Sequence, residues 1–397
     1  MDLRILFYII SFLVIFELIL ILLIKILKKD FKWLINTEDE KPYFDKKKLK
    51  NFYKNSFDQL LGWDRKKNTS GYEISNKKTF FNIKKNGNRG KSKFKKTKIS
   101  VFGDSFAFCR YVNDDETWES FIEERIKHNV HNFGVGNFGL DQSYLKYLKL
   151  KRNIRSKIII FNFVPETIAR VNSYWKHYRE FGNIMAFKPL FIEKKNNLFL
   201  KKITIKKNFS PKKIHSHLKG IKKFDIFYDL KFNREKFVFP YTVSFLKNIK
   251  ILSTILSNLI FHKLLKKKIF YDKAVSKILF QNISQSHKMY NNISLASKLK
   301  KIIFMMNKQI QRDKKKMILI VSPQLLDLKS DYINYPQAFF SNLPKEIICL
   351  DLSKYINRKK NFQKFYLKDK YGGHFNKIGN KYISKVILKF LRKRKIL

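Results

Sequence analysis

The sequence predicts an α/β protein in which a mostly parallel sheet lies between two helical layers, with one N-terminal transmembrane helix and a long insertion. Strand-like and helix-like segments alternate from Lys98 to about residue 170, and the alternation resumes after about residue 292. Such alternation is typical of parallel sheets, because right-handed crossovers place helices on both faces. We therefore predict an anchor over 1–30, a juxtamembrane segment over 31–97 and an α/β domain over 98–397, with the insertion at about 170–292.

Composition is compatible with a folded domain and gives little information about partners. A 397-residue chain with 44% hydrophobic residues can bury a core. The formal net charge of +54 is spread almost evenly and comes with abundant Lys, Asn, Ile and Phe, as in an AT-rich genome, so we expect no specific nucleic-acid partner. The alternative is a nucleic-acid-binding protein driven by charge, and steeply salt-sensitive DNA binding would support it. The two cysteines, Cys109 and Cys349, imply no disulfide framework.

The apolar run Ile5–Leu27 is long enough to cross a bilayer and lacks the small-residue cleavage site of a signal peptide. We predict a single-pass membrane helix, with Glu17 near its middle left unassigned. The sidedness stays open at this point. Lysines after the run favour a cytoplasmic body by the positive-inside rule, although lysine is common throughout the chain.

The predicted strands and helices follow in order along the chain. The segments 98–102, 129–135, 157–164, 316–322 and 346–352 are β-branched or apolar runs typical of buried strands. Helical spacing of apolar residues occurs over 116–126, 141–150, 297–310 and from Phe375 onward. Within the insertion, 245–261 has the pattern of a core helix or, less simply, of a helix lying on a membrane surface.

The stretch Ser100–Cys109, SVFGDSFAFC, places Ser105 where the first strand turns into a helix. There the hydroxyl stands clear of the sheet, and the backbone N–H of the same residue faces any developing negative charge. That arrangement suits acyl transfer, whereas the simpler interpretation is a helix cap.

Two other segments favour the catalytic interpretation. Gly134, Gly136 and Gly139 follow the second strand and form a turn whose N–H groups can point at the same place as that of Ser105. Near the C-terminus, Asp369 and His374 lie in a glycine-containing loop just before the last helix, which is a suitable position for the base and acid of a Ser-His-Asp arrangement.

These segments together resemble the SGNH, or GDSL, hydrolase family. Gly103-Asp104-Ser105 matches its first block, the Gly134–Gly139 turn its second, and Asp369 with His374 its last. The resemblance implies a flavodoxin-like topology, Ser105 as nucleophile, His374 as base, Asp369 as acid, and an oxyanion hole from Ser105, Gly136 and Asn137. It implies no cofactor and no metal.

The wider phrases VFGDSF, VNDDETW and GGHFNKIGNKYIS resemble a membrane-anchored branch of this family that is linked to envelope polysaccharides. This implies an acylated glycan or glycolipid as substrate and an extracytoplasmic domain. The expected activity is that of an O-acyl esterase or acyltransferase. The alternative is an inactive scaffold that binds glycan or assembly partners, and the oligomeric state stays open.

Three departures from the family pattern leave further alternatives. The second-block glycine falls at Gly136 or at Asn137, depending on how the turn is aligned, and either can act as a backbone donor. The third block has no Asn at its usual place, so Asn162, Glu166 or Thr167 replaces it, or the oxyanion hole has only two donors. Tyr371 occupies the usual position of the acid, and Asp369 lies two residues earlier. A Ser-His dyad assisted by a backbone carbonyl is therefore the alternative to the triad.

Other candidate residues carry weaker signals. His215 and His217 lack a third metal ligand at a useful spacing. Trp175 and His177 have the character of a sugar or phosphate site, or of an aromatic cluster. Arg89 either anchors the first turn beneath the sheet or is an exposed charge.

Overall fold

The structure is a computed structural model that describes residues 3–28, 40–75, 77–329, 335–357, 359–367 and 373–397. These residues form two compact units. We call them the insertion unit (1–51, 173–187 and 204–282) and the α/β unit (52–172, 188–203 and 283–397).

The strands and helices are numbered along the chain. The strands are β1 Phe57–Asp58, β2 Gly62–Trp63, β3 Thr69–Ile74, β4 Lys78–Ile83, β5 Thr97–Gly103, β6 Asn129–Asn132, β7 Ile158–Phe163, β8 Leu190–Lys194, β9 Asn197–Lys201, β10 Lys316–Val321 and β11 Ile348–Asp351. The helices are α1 Leu3–Leu27, α2 Lys46–Asn55, α3 Ser105–Phe108, α4 Trp118–Ile126, α5 Leu140–Leu150, α6 Thr167–Val171, α7 Lys176–Arg179, α8 Pro211–Ile221, α9 Tyr241–Lys247, α10 Ile249–Leu265, α11 Lys268–Lys288, α12 Ile293–Arg312, α13 Leu325–Leu328, α14 Gln337–Ser341, α15 Ser353–Ile356 and α16 Lys377–Lys393.

The main sheet of the α/β unit has the order β11-β10-β7-β5-β6, and every neighbouring pair is parallel. Numbered by their order along the chain and taken from β6, these strands run 2-1-3-4-5, which is the flavodoxin-like arrangement. The central strand β7 is buried along its whole length, as its apolar sequence predicts. The predicted α/β fold with a parallel sheet is confirmed.

Alternating side chains of the sheet pack on two helical layers. Val101, Ile160 and Ile320 belong to a core that also contains residues of α4 and α16. On the other face, the rings of Phe102 and Phe161 pack against Tyr147 of α5, with centroids 5.6 and 6.3 Å away. This alternation gives the three layers of the predicted architecture.

The predicted and observed boundaries of the units differ. Residues 52–97, assigned from sequence to a juxtamembrane segment, belong to the α/β unit and form the hairpins β1–β2 and β3–β4. The segment 188–203, assigned to the insertion, forms the hairpin β8–β9 and also belongs to the α/β unit. Short strands between turn residues carry weak periodicity, which is why the sequence did not indicate them.

The insertion unit has its own apolar core around α1. Leu20, Ile24 and Leu27 of α1 pack with residues of α10 and α11, including Leu256 and Ala274. A second cluster is aromatic: the fully buried Trp175 stacks on Phe187 at 5.2 Å. The interpretation of Trp175 as part of an aromatic cluster is the one that the structure shows, and 245–261 likewise lies mostly within a core helix, α10.

Candidate active site

The carboxyl end of β5 turns directly into α3, and we call Gly103–Phe108 the nucleophile corner. A Cβ atom on Gly103 would lie 1.9 Å from the carbonyl oxygen of Asn162, so only glycine fits beside β7. Ser105 is the first residue of α3, and Cys109 ends the helix in the left-handed conformation with φ 56°. The corner therefore presents Ser105 at the edge of the sheet where the strand order reverses, which is where α/β folds bind ligands.

Asp104 fixes the orientation of the corner. Its Oδ1 accepts a hydrogen bond from the N–H of Phe106 at 2.8 Å, and its Oδ2 accepts from the N–H of Val164 at 3.0 Å and from Arg170 at 3.1 Å. Burial raises the pKa of Asp104, an effect that the nearby Arg170 guanidinium opposes. Asp104 thus links the start of α3 to the end of β7.

His374 lies beside Ser105, although the two residues are far apart in sequence. The distance from His374 Nε2 to Ser105 Oγ is 2.9 Å, and both residues are buried. The imidazole stacks on Phe106, with ring centroids 5.0 Å apart, and meets the edge of Tyr111. This is hydrogen-bond reach for proton transfer between a nucleophile and its base.

The loop that carries His374 is held at both ends. The carbonyl of His374 accepts a hydrogen bond from the N–H of Leu367 at 2.8 Å. Two residues later, Asn376 caps α16 by accepting from the N–H of Gly379 at 2.9 Å. The long apolar face of α16 packs in the core and so supports this cap from behind.

The turn Gly134–Gly139, which we call the glycine turn, contains two unused backbone donors. Between Phe133 and Leu140, every N–H group donates to a described acceptor except those of Gly136 and Asn137. Donors in an otherwise fully bonded loop are available to a developing oxyanion. These are the two residues that the family resemblance implies for the oxyanion hole.

Trp63 holds the peptide between these two donors. Its indole Nε1–H donates to the carbonyl of Gly136 at 3.1 Å, and its ring meets the edge of Phe138. Because a trans peptide points its C=O and N–H in opposite directions, this bond turns the N–H of Asn137 away from Trp63. Asn137 adopts φ 65°, a left-handed conformation that asparagine tolerates.

Arg89 anchors the far end of α3. Its guanidinium donates to the carbonyls of Phe108, Cys109 and Val112, and its Nε pairs with Asp114 at 2.7 Å. The side chain is almost fully buried. Of the two alternatives from sequence, the structure shows the anchor, because a cation at a helix C-terminus stabilises the orphan carbonyls.

The remaining predicted site residues are the acid and the three candidate substitutes for the third-block Asn. Asp369 lies outside the described residues, so its role as acid stays a prediction. Glu166 pairs with Arg170 at 2.8 Å, and the hydroxyl of Thr167 accepts from the N–H of Leu140. Their roles as substitutes for the third-block Asn stay predictions. Asn162 uses its oxygen to accept from Ser322, while its buried amide nitrogen has no hydrogen-bond partner among the described residues.

The weaker candidates have structural roles in the insertion unit. The ring nitrogens of His215 and His217 lie within hydrogen-bond distance of the carbonyls of Pro42 and Lys213. His177 is buried against Trp175 and Phe232. In the described part of the chain, no group of three or more His, Cys, Asp or Glu side chains could hold a metal ion.

Sequence reasoning missed Trp63 and Arg170 as residues that position the site. Trp63 lies in a turn-rich segment with no recognisable motif, and only its large indole among polar neighbours was a signal. Arg170 follows the third-block position, and its pairing with Asp104 depends on two separate strands meeting at one edge.

The chain matches no protein-family model and no curated protein. Solved structures do resemble it. One is a lipolytic protein assigned to the G-D-S-L family from Desulfitobacterium hafniense DCB-2, with 10% identity over 74% of this chain and 99% of that one, and a TM-score of 0.34.

Two further solved structures are similar over comparable lengths. The acetyl xylan esterase AlAXEase shares 11% identity over 74% of this chain and 98% of its own, with a TM-score of 0.36. A lipase/acylhydrolase from Enterococcus faecalis shares 10% identity over 75% and 96%, with a TM-score of 0.33. At such low identity the chemistry has to follow from this chain's own residues.

Proposed function

We propose that this protein is a membrane-anchored serine O-acyl esterase or acyltransferase that acts on an acylated glycan or glycolipid of the bacterial envelope. The observation that carries the chemistry is the 2.9 Å contact between Ser105 Oγ and His374 Nε2. The unused N–H groups of Gly136 and Asn137 lie in the turn that follows the neighbouring strand β6, and they supply the second element of an acyl-transfer site.

The proposed mechanism has two halves. His374 takes the proton of Ser105 as Oγ attacks the ester carbonyl, and the N–H groups of Ser105, Gly136 and Asn137 stabilise the tetrahedral oxyanion. His374 then gives the proton to the departing alcohol, which leaves an acyl group on Ser105. Attack by water releases the acid and makes an esterase, while attack by a sugar hydroxyl makes a transferase. Asp369 is the proposed orienting acid.

A cavity in the α/β unit supports a substrate larger than the acyl group. It measures about 580 Å³, and Tyr290, Phe339 and Tyr335 form aromatic walls while Lys300 lies at its side. The hydroxyl of Tyr290 donates to Pro165, just past β7, so the cavity lies at the carboxyl edge of the sheet, as the nucleophile corner does. Aromatic faces beside amide, hydroxyl and ammonium groups suit a sugar ring.

The helix α1 supports the anchoring. It is 25 residues long and apolar enough to cross a membrane by length and composition. Leu20, Ile24 and Leu27 belong to the core of the insertion unit, so removing the helix as a signal peptide would expose that core. We therefore propose that α1 is retained.

The chemistry is tested with a fluorophosphonate probe and a short-chain aryl ester on the full-length protein. We expect Ser105→Ala to abolish labelling and to lower hydrolysis at least about 10³-fold, because the nucleophile is lost. The matched control is Ser92→Ala, which removes an exposed serine whose Oγ lies 3.4 Å from His131 Nε2 but has no such turn beside it. Labelling that persists in Ser105→Ala, or that is absent from the wild type, contradicts the enzyme and favours the inactive scaffold.

The glycan half of the proposal needs a separate measurement. Phe339→Ala should raise KM for an O-acetylated oligosaccharide while leaving KM for an aryl acetate unchanged, since only the larger substrate reaches the cavity. Equal effects on the two substrates, or none on either, would remove the cavity from the proposal. The Ser105 chemistry would stand in both cases.

A further inference from the structure

The structure points to a second membrane-embedded element: we infer that residues 237–249 of the insertion, which include α9, enter the lipid bilayer beside α1 and leave it on the same side. This inference rests on the proposed retention of α1 as a transmembrane helix. It assigns a partner, the lipid acyl chains, to a part of the insertion that precedes and only partly overlaps the segment 245–261 considered from sequence.

The main observation is the environment of Glu17. Its two carboxylate oxygens accept hydrogen bonds from the backbone N–H groups of Tyr241 and Thr242, both at 2.6 Å. These N–H groups belong to the first turn of α9, where no intrahelical partner exists. Each side therefore satisfies the other: the helix start gains acceptors, and the carboxylate gains donors and the positive end of a helix dipole.

The position of Glu17 along α1 sets the depth of this contact. Lys25 is the first lysine of α1, near its C-terminal end, and marks the headgroup level on that side. Glu17 precedes Lys25 by two helical turns, which corresponds to about 12 Å at 1.5 Å per residue. A charged side chain at such a depth is unfavourable by several kcal/mol unless it is paired, and unpaired backbone donors are equally unfavourable there. The pairing removes both penalties at once.

Side-chain contacts extend along the same part of α1. The rings of Phe16 and Phe245 meet edge to face, with centroids 5.6 Å apart. One face of α9 is thus covered by α1. The residues on the outer side of the segment are large, apolar and about half exposed or more: Phe239 67%, Val243 47%, Leu246 56% and Ile249 46%. Acyl chains would cover this surface, whereas water would leave it as an unfavourable apolar patch.

The chain on both sides of the segment is suited to the membrane boundary. Lys236, just before it, pairs with Glu40, and such an ion pair suits the aqueous side of the boundary. After α9 the axis turns by 113° into α10. Lys247 and Lys250 at that turn are exposed, and their long side chains reach back to the headgroups. The hairpin therefore stays within one leaflet.

A depth measurement in vesicles tests the inference. The full-length protein, with Cys349→Ser, is labelled with an environment-sensitive fluorophore at Leu246→Cys, Val14→Cys or Lys219→Cys and reconstituted into phosphatidylcholine and phosphatidylglycerol vesicles. Val14 is an exposed residue of α1, and Lys219 is an exposed residue of α8. We expect quenching by acyl-chain doxyl lipids and a blue-shifted emission at positions 246 and 14 but not at 219.

The outcomes separate this inference from the anchor. Quenching at position 14 with water-like emission at 246 overturns the hairpin and leaves the anchor intact. Water-like emission at both positions overturns the anchor and the hairpin together. Neither result bears on Ser105, whose labelling is measured in the same samples.

A pair of variants tests the role of Glu17. Glu17→Ala removes both acceptors and should raise the iodide quenching of the label at position 246 severalfold, whereas Glu17→Gln keeps one acceptor oxygen and should lie between Glu17→Ala and the wild type. If iodide quenching is equal in all three proteins, the carboxylate does not hold α9 in place. The inference would then be wrong about the contact that sets the depth.

Discussion

The nucleophile corner and the insertion unit are built in different ways. The corner is a four-residue helix after a strand, and the hydrogen bonds of Asp104, Arg89 and Trp63 hold it and the adjoining turn. The core of the insertion unit around α1 is built from apolar side chains, and the hydrogen bonds of Glu17 lie beside it. The difference teaches that the proposed chemistry requires polar fixation of a few atoms, whereas the proposed attachment to lipid requires apolar area.

Removing the anchor of α3 is expected to have an effect on stability as large as any in this comparison. Arg89→Met keeps the volume but leaves the carbonyls of Phe108, Cys109 and Val112 without their donor, so we expect a loss of about 2–4 kcal/mol of unfolding free energy. Fluorophosphonate labelling of Ser105 should slow as well. Denaturant titration and labelling rates measure the two effects.

A truncation in the other region provides the contrast. Leu256→Ala, in the core of the insertion unit, should destabilise by a similar amount, about 2–4 kcal/mol, because it opens a cavity. Under native conditions it should leave the labelling rate unchanged. If Arg89→Met and Leu256→Ala slow labelling equally, the corner has no special dependence on its polar anchor.

The next largest expected effect is a dependence of the protein's stability on pH. Burial raises the pKa of Glu119, which lies under α3, from an ordinary 4.5 to about 8, and the Sγ–H of Cys109 donates to this carboxyl at 3.1 Å. The folded state therefore holds a proton that the unfolded chain has lost between pH 4.5 and 8, so stability falls as the pH rises through that window. Cys109 itself has a pKa raised well above its ordinary value by the same burial.

Glu119→Gln removes this titration and should flatten part of the decline in Tm between pH 5 and pH 8. The expected gain at pH 8 is about 1–3 kcal/mol, since one pKa unit corresponds to about 1.4 kcal/mol and relaxation absorbs part of it. Glu124→Gln is the control, because Glu124 is exposed and pairs with Lys93 at the surface. A parallel change in both variants would assign the pH dependence to surface charge.

The smallest expected effect comes from removing one hydrogen bond, the one between Trp63 and the glycine turn. Trp63→Phe keeps the ring against Phe138 but removes the donor to the carbonyl of Gly136. A bond of this kind contributes about 1 kcal/mol, so kcat should fall roughly fivefold. KM should stay the same, because the oxyanion forms only in the transition state. A change in KM with constant kcat would place Trp63 in substrate binding instead.

Much of the fold could be predicted from sequence for a physical reason. Strands such as Ile158–Phe163 are buried on both faces and give continuous apolar runs, and α16 repeats its apolar residues at helical spacing. The proximity of Ser105 and His374 was also predictable from the family's motifs. The topology brings both to the carboxyl edge of the sheet.

The rest depends on contacts between residues distant in sequence. No local sequence pattern shows that Arg89 donates to the carbonyls at the end of α3, that Trp63 donates to Gly136, or that Glu17 accepts from Tyr241. Each is one polar or aromatic side chain whose partner is a backbone group, and a backbone group has no sequence signature. The hairpins over 52–97 and 188–203 were missed because strands of two to six residues show too little periodicity.

Two glycines of the glycine turn differ in how readily another residue could replace them. A Cβ atom at Gly134 would lie 2.3 Å from the backbone nitrogen of Phe108, so any side chain there would push α3 away. At Gly136 the same atom would meet nothing within 4 Å. Selection for a new acyl group would therefore accumulate substitutions at 136, in the proposed oxyanion hole, while 134 stays fixed. Two nearby positions of one loop would then record specificity and constraint separately.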